Sequence, residues 1–137
     1  MSDVVARMDC LGTAESIPDA RRFVSACLAD QAGDAVDVAA LLVTELATNA
    51  VVHTHAAYSI QVAVGPALIR VEVLDSDPRR PRHLPPEPGR VGGWGIHLVD
   101  RLAADWGVAP TGGGKAVWFE LHTGSVRRIG REAHADA

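Results

Sequence analysis

The feature that most restricts the fold of this chain is a long, mostly apolar segment after residue 33 that carries polar residues at a fixed spacing. Its first turn is acidic and its apolar positions recur at helical intervals; they are Val38, Leu41, Leu42 and Leu46. The stretch "ELATNAVVH" then places Glu45, Asn49 and His53 at four-residue steps. Because an α-helix turns about 100° per residue, such steps drift by only about 40°. The sequence therefore predicts a buried helix with one slowly winding polar stripe on its inward face.

That polar stripe must find partners, because burying a carboxylate and an amide without hydrogen bonds costs several kcal/mol. In one interpretation the partners lie within the chain: Asn49 caps a neighbouring loop, Glu45 pairs with an arginine, and His53 lies near the negative end of the helix dipole. In the other interpretation the stripe faces a ligand, a metal ion or ordered water. The helix alone leaves both interpretations open.

The size and charge of the chain limit which functions are possible. Its 137 residues suffice for one domain with its own hydrophobic core. A formal net charge of -4 leaves no basic surface of the kind that binds nucleic acid directly. Cys10 and Cys27 are too few for a disulfide framework and lack the clustered spacing of a zinc site. We find neither a secretory signal nor a run of about 18 apolar residues, so a cytoplasmic protein with no membrane span is expected.

The patterns around the long helix predict alternating strands and helices. Residues 4–11 suit a short first strand, and a helix follows in which Ser16 caps the N-terminus, Pro18 lies in the first turn and Gly33 marks the end. The apolar face of that helix is formed by Ala20, Phe23, Val24, Cys27 and Leu28. Residues 58–64 and 69–73 alternate apolar and polar positions around the turn "GPA". This alternation indicates an antiparallel hairpin with one buried face.

A proline- and arginine-rich stretch, residues 76–93, follows the hairpin. A loop of this length in a compact domain is usually functional or disordered. It suits a solvated connection or a ligand for a proline-recognition domain, and its arginines could bind an anionic surface.

The C-terminal part predicts one more helix and one more strand. "GGWGIHLVDRLAADWG" indicates a helix that Gly107 ends, and its buried side is predicted to be Ile96, Val99, Leu102 and Ala103. "GGGKAVWFEL" indicates a glycine turn and a strand on which Val117, Phe119 and Leu121 share a face. Residues 125–137 are predicted to be a polar tail that can be disordered.

Three sequence features together suit a base and a polyphosphate. Asp75 lies at the end of the hairpin, where its carboxylate can accept a hydrogen bond from an exocyclic amine. The glycine-rich start of the next helix can offer backbone N–H donors to phosphate. The amide oxygen of Asn49 suits a Mg²⁺ ion that also binds phosphate oxygens. His53 and His55 do not share a helix face and no further ligands are evident, so a zinc site is not expected.

Four motifs, taken in order, resemble those of a known family. "ELATNAVVH", "VLDSD", "GGWGIHLVD" and "GGGKAVWFEL" resemble the N box and the three glycine boxes of the gyrase, heat-shock chaperone, histidine kinase and mismatch-repair ATPase (GHKL) superfamily. The sequence is most similar to the small bacterial anti-sigma factor serine kinases and their actinobacterial relatives. The resemblance covers roughly residues 10–122.

The resemblance implies a fold and a ligand. The fold would be a two-layer α/β (α+β) sandwich over residues 1–124, with a mixed, mostly antiparallel sheet covered on one face by about three helices and a lid at about 76–93. ATP or ADP would bind with Mg²⁺ on Asn49, adenine on Asp75 and phosphates near Gly93 and Gly95. Glu45 would be the general base. The remaining nucleotide-binding positions would be His53, Asp77, Trp94, Ile96, Lys115 and Ala116, with His53 either touching the ligand or supporting nearby backbone.

The resemblance also implies partners, and the departures from it leave two hypotheses. The family phosphorylates a serine of an anti-anti-sigma partner, controls a sigma factor and forms homodimers. In this chain Asp77 and Arg79 replace the glycines of the first box, Trp94 replaces an arginine of the second, and Ala116 replaces a threonine of the last. The first hypothesis is a protein serine/threonine kinase, favoured by Glu45 and Asn49. The second is a non-catalytic, nucleotide-dependent binding module.

Overall fold

The computed structural model describes residues 4–77 and 93–123. Within these ranges the side chains of residues 4 and 93–96 are not described. Most of the predicted lid and the predicted tail at 125–137 therefore lie outside the described residues. The elements in chain order are β1 (Val4–Cys10), α1 (Ser16–Cys27), α2 (Gly33–Thr54), β2 (Tyr58–Val64), β3 (Leu68–Asp75), α3 (Gly93–Leu102), β4 (Asp105–Pro110) and β5 (Lys115–His122).

The strands form one five-stranded sheet in the order β1-β2-β3-β5-β4, and each described pairing is antiparallel. Side chains alternate between the two faces along each strand. The register aligns Ile60 with Val73 and Val73 with Val117, so one face is continuously apolar and buried. α1 packs against β1 and β2, α2 packs against β3 and β5, and α3 contacts α2 and β4. The predicted α+β sandwich is confirmed.

The opposite face of the sheet is polar. Arg70 lies over the ring of Trp118, 4.1 Å from its centroid. The same guanidinium donates to Glu72 on its own strand and to Glu120 on β5, at 2.8 and 3.0 Å. Because these charges are partly solvated, the network keeps this face soluble more than it stabilises the sheet.

Helix α2 forms the centre of the helical layer. Its buried residues are Ala35, Ala39, Leu42, Val43, Leu46, Ala47 and Ala50. The alanines allow the helix to lie close to the sheet, and each fully buried leucine or valine contributes about 1.5–3 kcal/mol. By length and composition α2 is also the one helix of the described ranges that could cross a membrane, a test that the core helix of a soluble protein passes equally. Leu41, predicted to be buried, is 41% exposed.

The predicted limits of α1 were wrong at both ends. Ser16 is the first helical residue and not the cap, which is Glu15. The hydroxyl of Ser16 instead donates to the carbonyl oxygen of Thr13 at 2.8 Å and is hydrogen-bonded to the Tyr58 hydroxyl at 2.7 Å. The helix ends at Cys27, well before Gly33, which begins α2. A short turn closed by the Gln31 N–H to the Leu28 carbonyl separates the helices.

The predicted C-terminal helix is present as α3, but its predicted end was wrong. Helix α3 ends at Leu102, which is 42% exposed, and residues 105–110 form strand β4. Gly107 lies within this strand and does not end the helix. A Cβ at Gly107 would come within 2.7 Å of the Trp118 ring, so any other residue would displace that ring. On the other face of β4, Trp106 and Val108 pack against the core.

Candidate functional site

The polar stripe of α2 changes from half-buried to exposed along the helix. Glu45 and Asn49 are half-buried, whereas His53, one turn further on, is exposed. The helix ends at Thr54, and His55 follows in the left-handed conformation with φ 55°. The structure therefore brings Glu45 and Asn49, but not His53, to the inner part of the molecule.

The amide oxygen of Asn49 is the clearest sign of a ligand site. Within residues 4–77 and 93–123, Asn49 Oδ1 is the one buried side-chain oxygen or nitrogen without a hydrogen-bond partner. Leaving such a group unpaired costs about 1–3 kcal/mol. The predicted alternative, in which Asn49 caps a neighbouring loop, does not occur among these residues. A cation or a donor from outside the chain would satisfy this oxygen.

Glu45 lies one helical turn before Asn49. Burial raises the pKa of the Glu45 carboxyl, and desolvation is the cause. No ion pair between Glu45 and an arginine is present among the described residues. A carboxylate in such a place binds protons more readily than one in water, which suits a general base.

Asp75 ends strand β3 with its side chain only 6% exposed. Its Oδ1 accepts from the backbone N–H of Asp77 at 2.8 Å and from Lys115 Nζ at 3.0 Å. Lys115 Nζ also donates to the carbonyl oxygen of Asp77 at 2.8 Å. Both of these contacts to the carboxylate fall on Oδ1, and Oδ2 receives no hydrogen bond within the described part of the chain. One oxygen of this carboxylate is therefore available to a ligand.

The turn after Asp75 forms without the expected glycine. The N–H of Asp77 donates to the Asp75 side chain two residues earlier, which closes an Asx turn. His55 is the one described non-glycine residue with positive φ, so Asp77 has an ordinary backbone conformation. An aspartate is accommodated at this position because the backbone does not require glycine there.

Gly114 is a site residue that the sequence interpretation missed. Its sequence context reads only as part of a glycine turn. A Cβ at Gly114 would lie 1.9 Å from the carbonyl oxygen of Asp75 and 2.7 Å from Ser76 Cα. Gly114 is therefore required for the close approach of the β4–β5 turn to the end of β3, where Asp75 lies.

The strand register separates two neighbouring predicted site residues. Lys115 is aligned with Asp75, and Ala116 is aligned with Leu74. Because side chains alternate, Lys115 lies on the same face as Asp75 and Ala116 lies on the opposite face with Trp118. The structure does not bring Ala116 to the pocket. The prediction that Ala116 occupies the position of the family's threonine beside Asp75 was therefore wrong. Lys115 is the residue that faces Asp75.

Comparison with known proteins identifies the family to which this site belongs. Residues 11–121 match the family described as the histidine kinase-like ATPase domain. This chain is a member of the histidine kinase-like ATPase family. The predicted superfamily is thereby confirmed, and membership implies nucleotide binding.

The fold of this ATPase domain is shared with a solved structure. The crystal structure of the RsbU and RsbW domains of Rv1364c from Mycobacterium tuberculosis matches with a TM-score of 0.68 and 16% identity. The match covers 88% of this chain and 32% of that chain, so the ATPase domain spans about a third of the solved protein. At this identity the likeness concerns the fold. No curated protein matches the chain.

The start of α3 supplies the backbone that phosphates would meet in an ATPase domain. Gly93 begins the helix, and Trp94, Gly95 and Ile96 follow in its first turn. The side chains of these residues lie outside the described set. α3 packs on α2, the helix that carries Asn49. The first N–H groups of a helix have no partner within it and can bind phosphate oxygens.

The protein groups at the site fit magnesium only together with a phosphate ligand. The described residues contain no group of three or more His, Cys, Asp or Glu side chains that could hold a metal ion. Asn49 Oδ1 supplies one hard oxygen, which suits Mg²⁺. An ion at this position would take its other ligands from phosphate oxygens and water, as Mg²⁺ commonly does in nucleotide sites.

Proposed function

We propose that the chain binds ATP and ADP with Mg²⁺ and is an anti-sigma-factor-like protein serine/threonine kinase. Its substrate would be a serine of an anti-anti-sigma partner. The observation that carries this proposal is the buried, unpaired Oδ1 of Asn49 one helical turn from the desolvated Glu45. Membership in the ATPase family supports the nucleotide.

Different residues would bind the adenine base, the Mg²⁺ ion and the phosphates. Asp75 would accept a hydrogen bond from the adenine amino group through Oδ2. Asn49 would hold Mg²⁺, and the first N–H groups of α3, from Gly93 to Ile96, would meet the phosphates. A bound Mg²⁺ ion would neutralise charge on the phosphate oxygens.

Glu45 would act on the acceptor hydroxyl. As the serine oxygen bonds to the γ-phosphorus, the bond from phosphorus to the β–γ bridging oxygen breaks and ADP leaves with that oxygen. Glu45 would take the hydroxyl proton in this step, which requires that its carboxyl group is ionised. Its raised pKa makes proton acceptance more favourable, although it narrows the pH range in which the base is ionised.

The proposal also covers the protein partners, the cellular compartment and the oligomeric state. The RsbW domain in the similar solved structure supports an anti-anti-sigma protein as the partner. A sigma factor as a second partner rests on the family resemblance of the motifs alone. We place the protein in the cytoplasm, without a membrane span and without direct contact to nucleic acid. We also propose a homodimer.

A second candidate is a nucleotide-dependent binding module without phosphoryl transfer. Trp94 in the second glycine box supports it, because an arginine at this position could form a charged, bidentate contact with the terminal phosphate, whereas tryptophan carries no charge. Both candidates require ATP or ADP in the pocket.

Incubation with radiolabelled ATP and candidate anti-anti-sigma proteins separates the two. A kinase transfers label to a serine of the partner, and Glu45→Ala abolishes the transfer. Asp37→Ala serves as the matched control, because Asp37 is an exposed acid on the same helix. Nucleotide-dependent partner binding without transfer would support the binding module instead.

A further inference from the structure

We propose that Lys115 is the positioning residue for base recognition, holding Asp75 so that the site selects a 6-amino purine over a 6-oxo purine. This inference rests on the proposed nucleotide site, because it assigns Asp75 to the base. It concerns a residue whose neighbours in the chain, Gly114 and Ala116, do not offer a side chain toward Asp75.

The position of Lys115 is set by strand pairing. Lys115 and Asp75 are aligned in the β3–β5 register, on the side of the sheet that faces the helices. Their side chains are 8% and 6% exposed, so the ion pair is almost fully withdrawn from water. Gly114 allows the β4–β5 turn to approach the Asp75 backbone, which brings the start of β5 close to the end of β3.

The hydrogen bonds around this pair fix the carboxylate in one orientation. Lys115 Nζ bridges Asp75 Oδ1 at 3.0 Å and the Asp77 carbonyl oxygen at 2.8 Å. The Asp77 N–H bonds to the same Oδ1 at 2.8 Å. The ammonium group thus holds both the side chain and the turn that follows it. The carboxylate cannot rotate without breaking two bonds to Oδ1.

This orientation determines what the ligand must offer. With Oδ1 occupied by two donors of the chain, Oδ2 is the oxygen presented to a base, and it can only accept. The amino group of adenine is a donor and satisfies it. The 6-oxo group of hypoxanthine or guanine is an acceptor and would leave two acceptors facing each other. Sites that hydrogen-bond a substrate group discriminate strongly against analogues that lack it.

The test compares ATP and inosine triphosphate, which differ at position 6 of the purine. Each nucleotide is titrated with Mg²⁺ into the whole chain, as wild type and as Lys115→Met. We expect ATP affinity to fall about tenfold or more, as for a lost hydrogen bond to a charged group. We also expect the ratio of ATP affinity to inosine triphosphate affinity to move toward one.

Two further variants show that the effect is specific. Arg70→Met removes an ion-paired cation from the opposite face of the same sheet and should leave the ratio unchanged. Lys115→Thr keeps a donor on the correct face and should retain more of the ratio than Lys115→Met. Thermal unfolding confirms that each variant is folded.

The outcomes separate this inference from the proposed function. If the folded wild type binds no adenine nucleotide, the proposed function is wrong. If the wild type prefers ATP and folded Lys115→Met keeps the same ratio, the positioning role is wrong and the nucleotide site stands. If neither Lys115→Met nor Lys115→Thr folds, Lys115 serves the fold and the positioning role is withdrawn.

Discussion

Asn49 is the residue at which stability and function are expected to oppose each other. Replacing it with alanine removes a buried oxygen that has no partner in the described structure. The loss of that desolvation cost, about 1–3 kcal/mol, offsets the lost packing. We therefore predict that Asn49→Ala leaves the free energy of unfolding unchanged or higher while Mg²⁺-dependent ATP affinity falls about tenfold or more. Urea unfolding and calorimetric titration measure the two quantities.

Thr48→Ala is the matched control for Asn49. Thr48 is the preceding residue of α2, is also half-buried, and its hydroxyl donates to the Thr44 carbonyl oxygen of its own helix. This variant should leave nucleotide affinity unchanged. A large loss of stability in Asn49→Ala would show that the amide has a structural partner and would contradict its metal role.

Glu45 gives a prediction about pH. Its pKa in the folded protein is raised above 4.5, so its contribution to stability is present at lower pH and is lost as the pH rises through the folded pKa. Glu45→Gln does not ionise, so we predict that it is more stable than wild type near pH 7 and no different below about pH 4. Thermal unfolding across this range tests the prediction. A difference independent of pH would contradict it.

The candidate site residues that local sequence patterns indicate are those that belong to a helix pattern or end a strand. Spacing along α2 located Glu45 and Asn49, and the end of the hairpin located Asp75. Lys115 was among the predicted positions, but its ion pair with Asp75 was not predicted. Motif order alone does not show on which face of a strand a residue lies, so the family's threonine position was placed at Ala116. The β3–β5 register was needed to correct it.

Among the elements, β4 was missed because its residues do not resemble a strand pattern. Residues 105–110 begin with an aspartate, contain Gly107 and end with a proline, and each of these is common outside strands. Pro110 is tolerated because β4 is the edge strand. Gly107 is explained by the Trp118 ring, a contact between strands that is remote from local propensity.

The turn between β4 and β5 gives a prediction at the scale of elements. Gly114→Ala would place a methyl group against the Asp75 carbonyl oxygen, so the two strand ends must separate. We predict a loss of stability of about 1–3 kcal/mol from overpacking together with weaker ATP binding, because Asp75 is displaced. Denaturant unfolding and titration report the two effects.

The neighbouring glycine provides the control for this turn. A Cβ at Gly113 would meet no atom within 4 Å. Gly113→Ala should therefore leave both stability and ATP affinity close to wild type. Equal effects of the two substitutions would show that turn flexibility, and not the approach to Asp75, explains the glycines.

At the scale of the whole molecule, the order of helices and strands was sufficient to predict the sandwich. The alternating segments and the three helices, combined with the family resemblance, gave the layers correctly. The strand order and the position of β5 between β3 and β4 could not be read from local patterns, because they depend on contacts between distant parts of the chain. The apolar pattern predicted that α2 is buried, but not that it packs against β3 and β5.

The edge of β1 that pairs with no other described strand is a candidate surface for the proposed homodimer. β1 pairs with β2 on one side and is an edge of the sheet. Antiparallel pairing of two copies centred on Met8 would place Arg7 opposite Asp9 of the partner subunit, twice. Exposed Val5 and Leu11, 65% and 72% exposed, would approach each other across the same edge. Edge strands of this kind are templates for pairing.

This arrangement predicts a charge-reversal pattern. Arg7→Glu puts like charges opposite each other and should weaken dimerisation, whereas Arg7→Glu combined with Asp9→Arg should restore it. Sedimentation equilibrium of each variant tests this. Loss of the exposed Arg7–Asp9 pair within one chain has little effect on the fold. A wild type that stays monomeric, or a dimer indifferent to Arg7→Glu, would contradict the β1 interface.

The most direct test of the nucleotide site is calorimetric titration of Mg-ATP and Mg-ADP into the wild type and into Asp75→Asn, with thermal unfolding to show that both are folded. The site geometry predicts saturable binding of one nucleotide per chain to the wild type and strongly reduced binding to Asp75→Asn. No saturable binding by the folded wild type, or equal affinity in the two proteins, would contradict the assignment of this pocket.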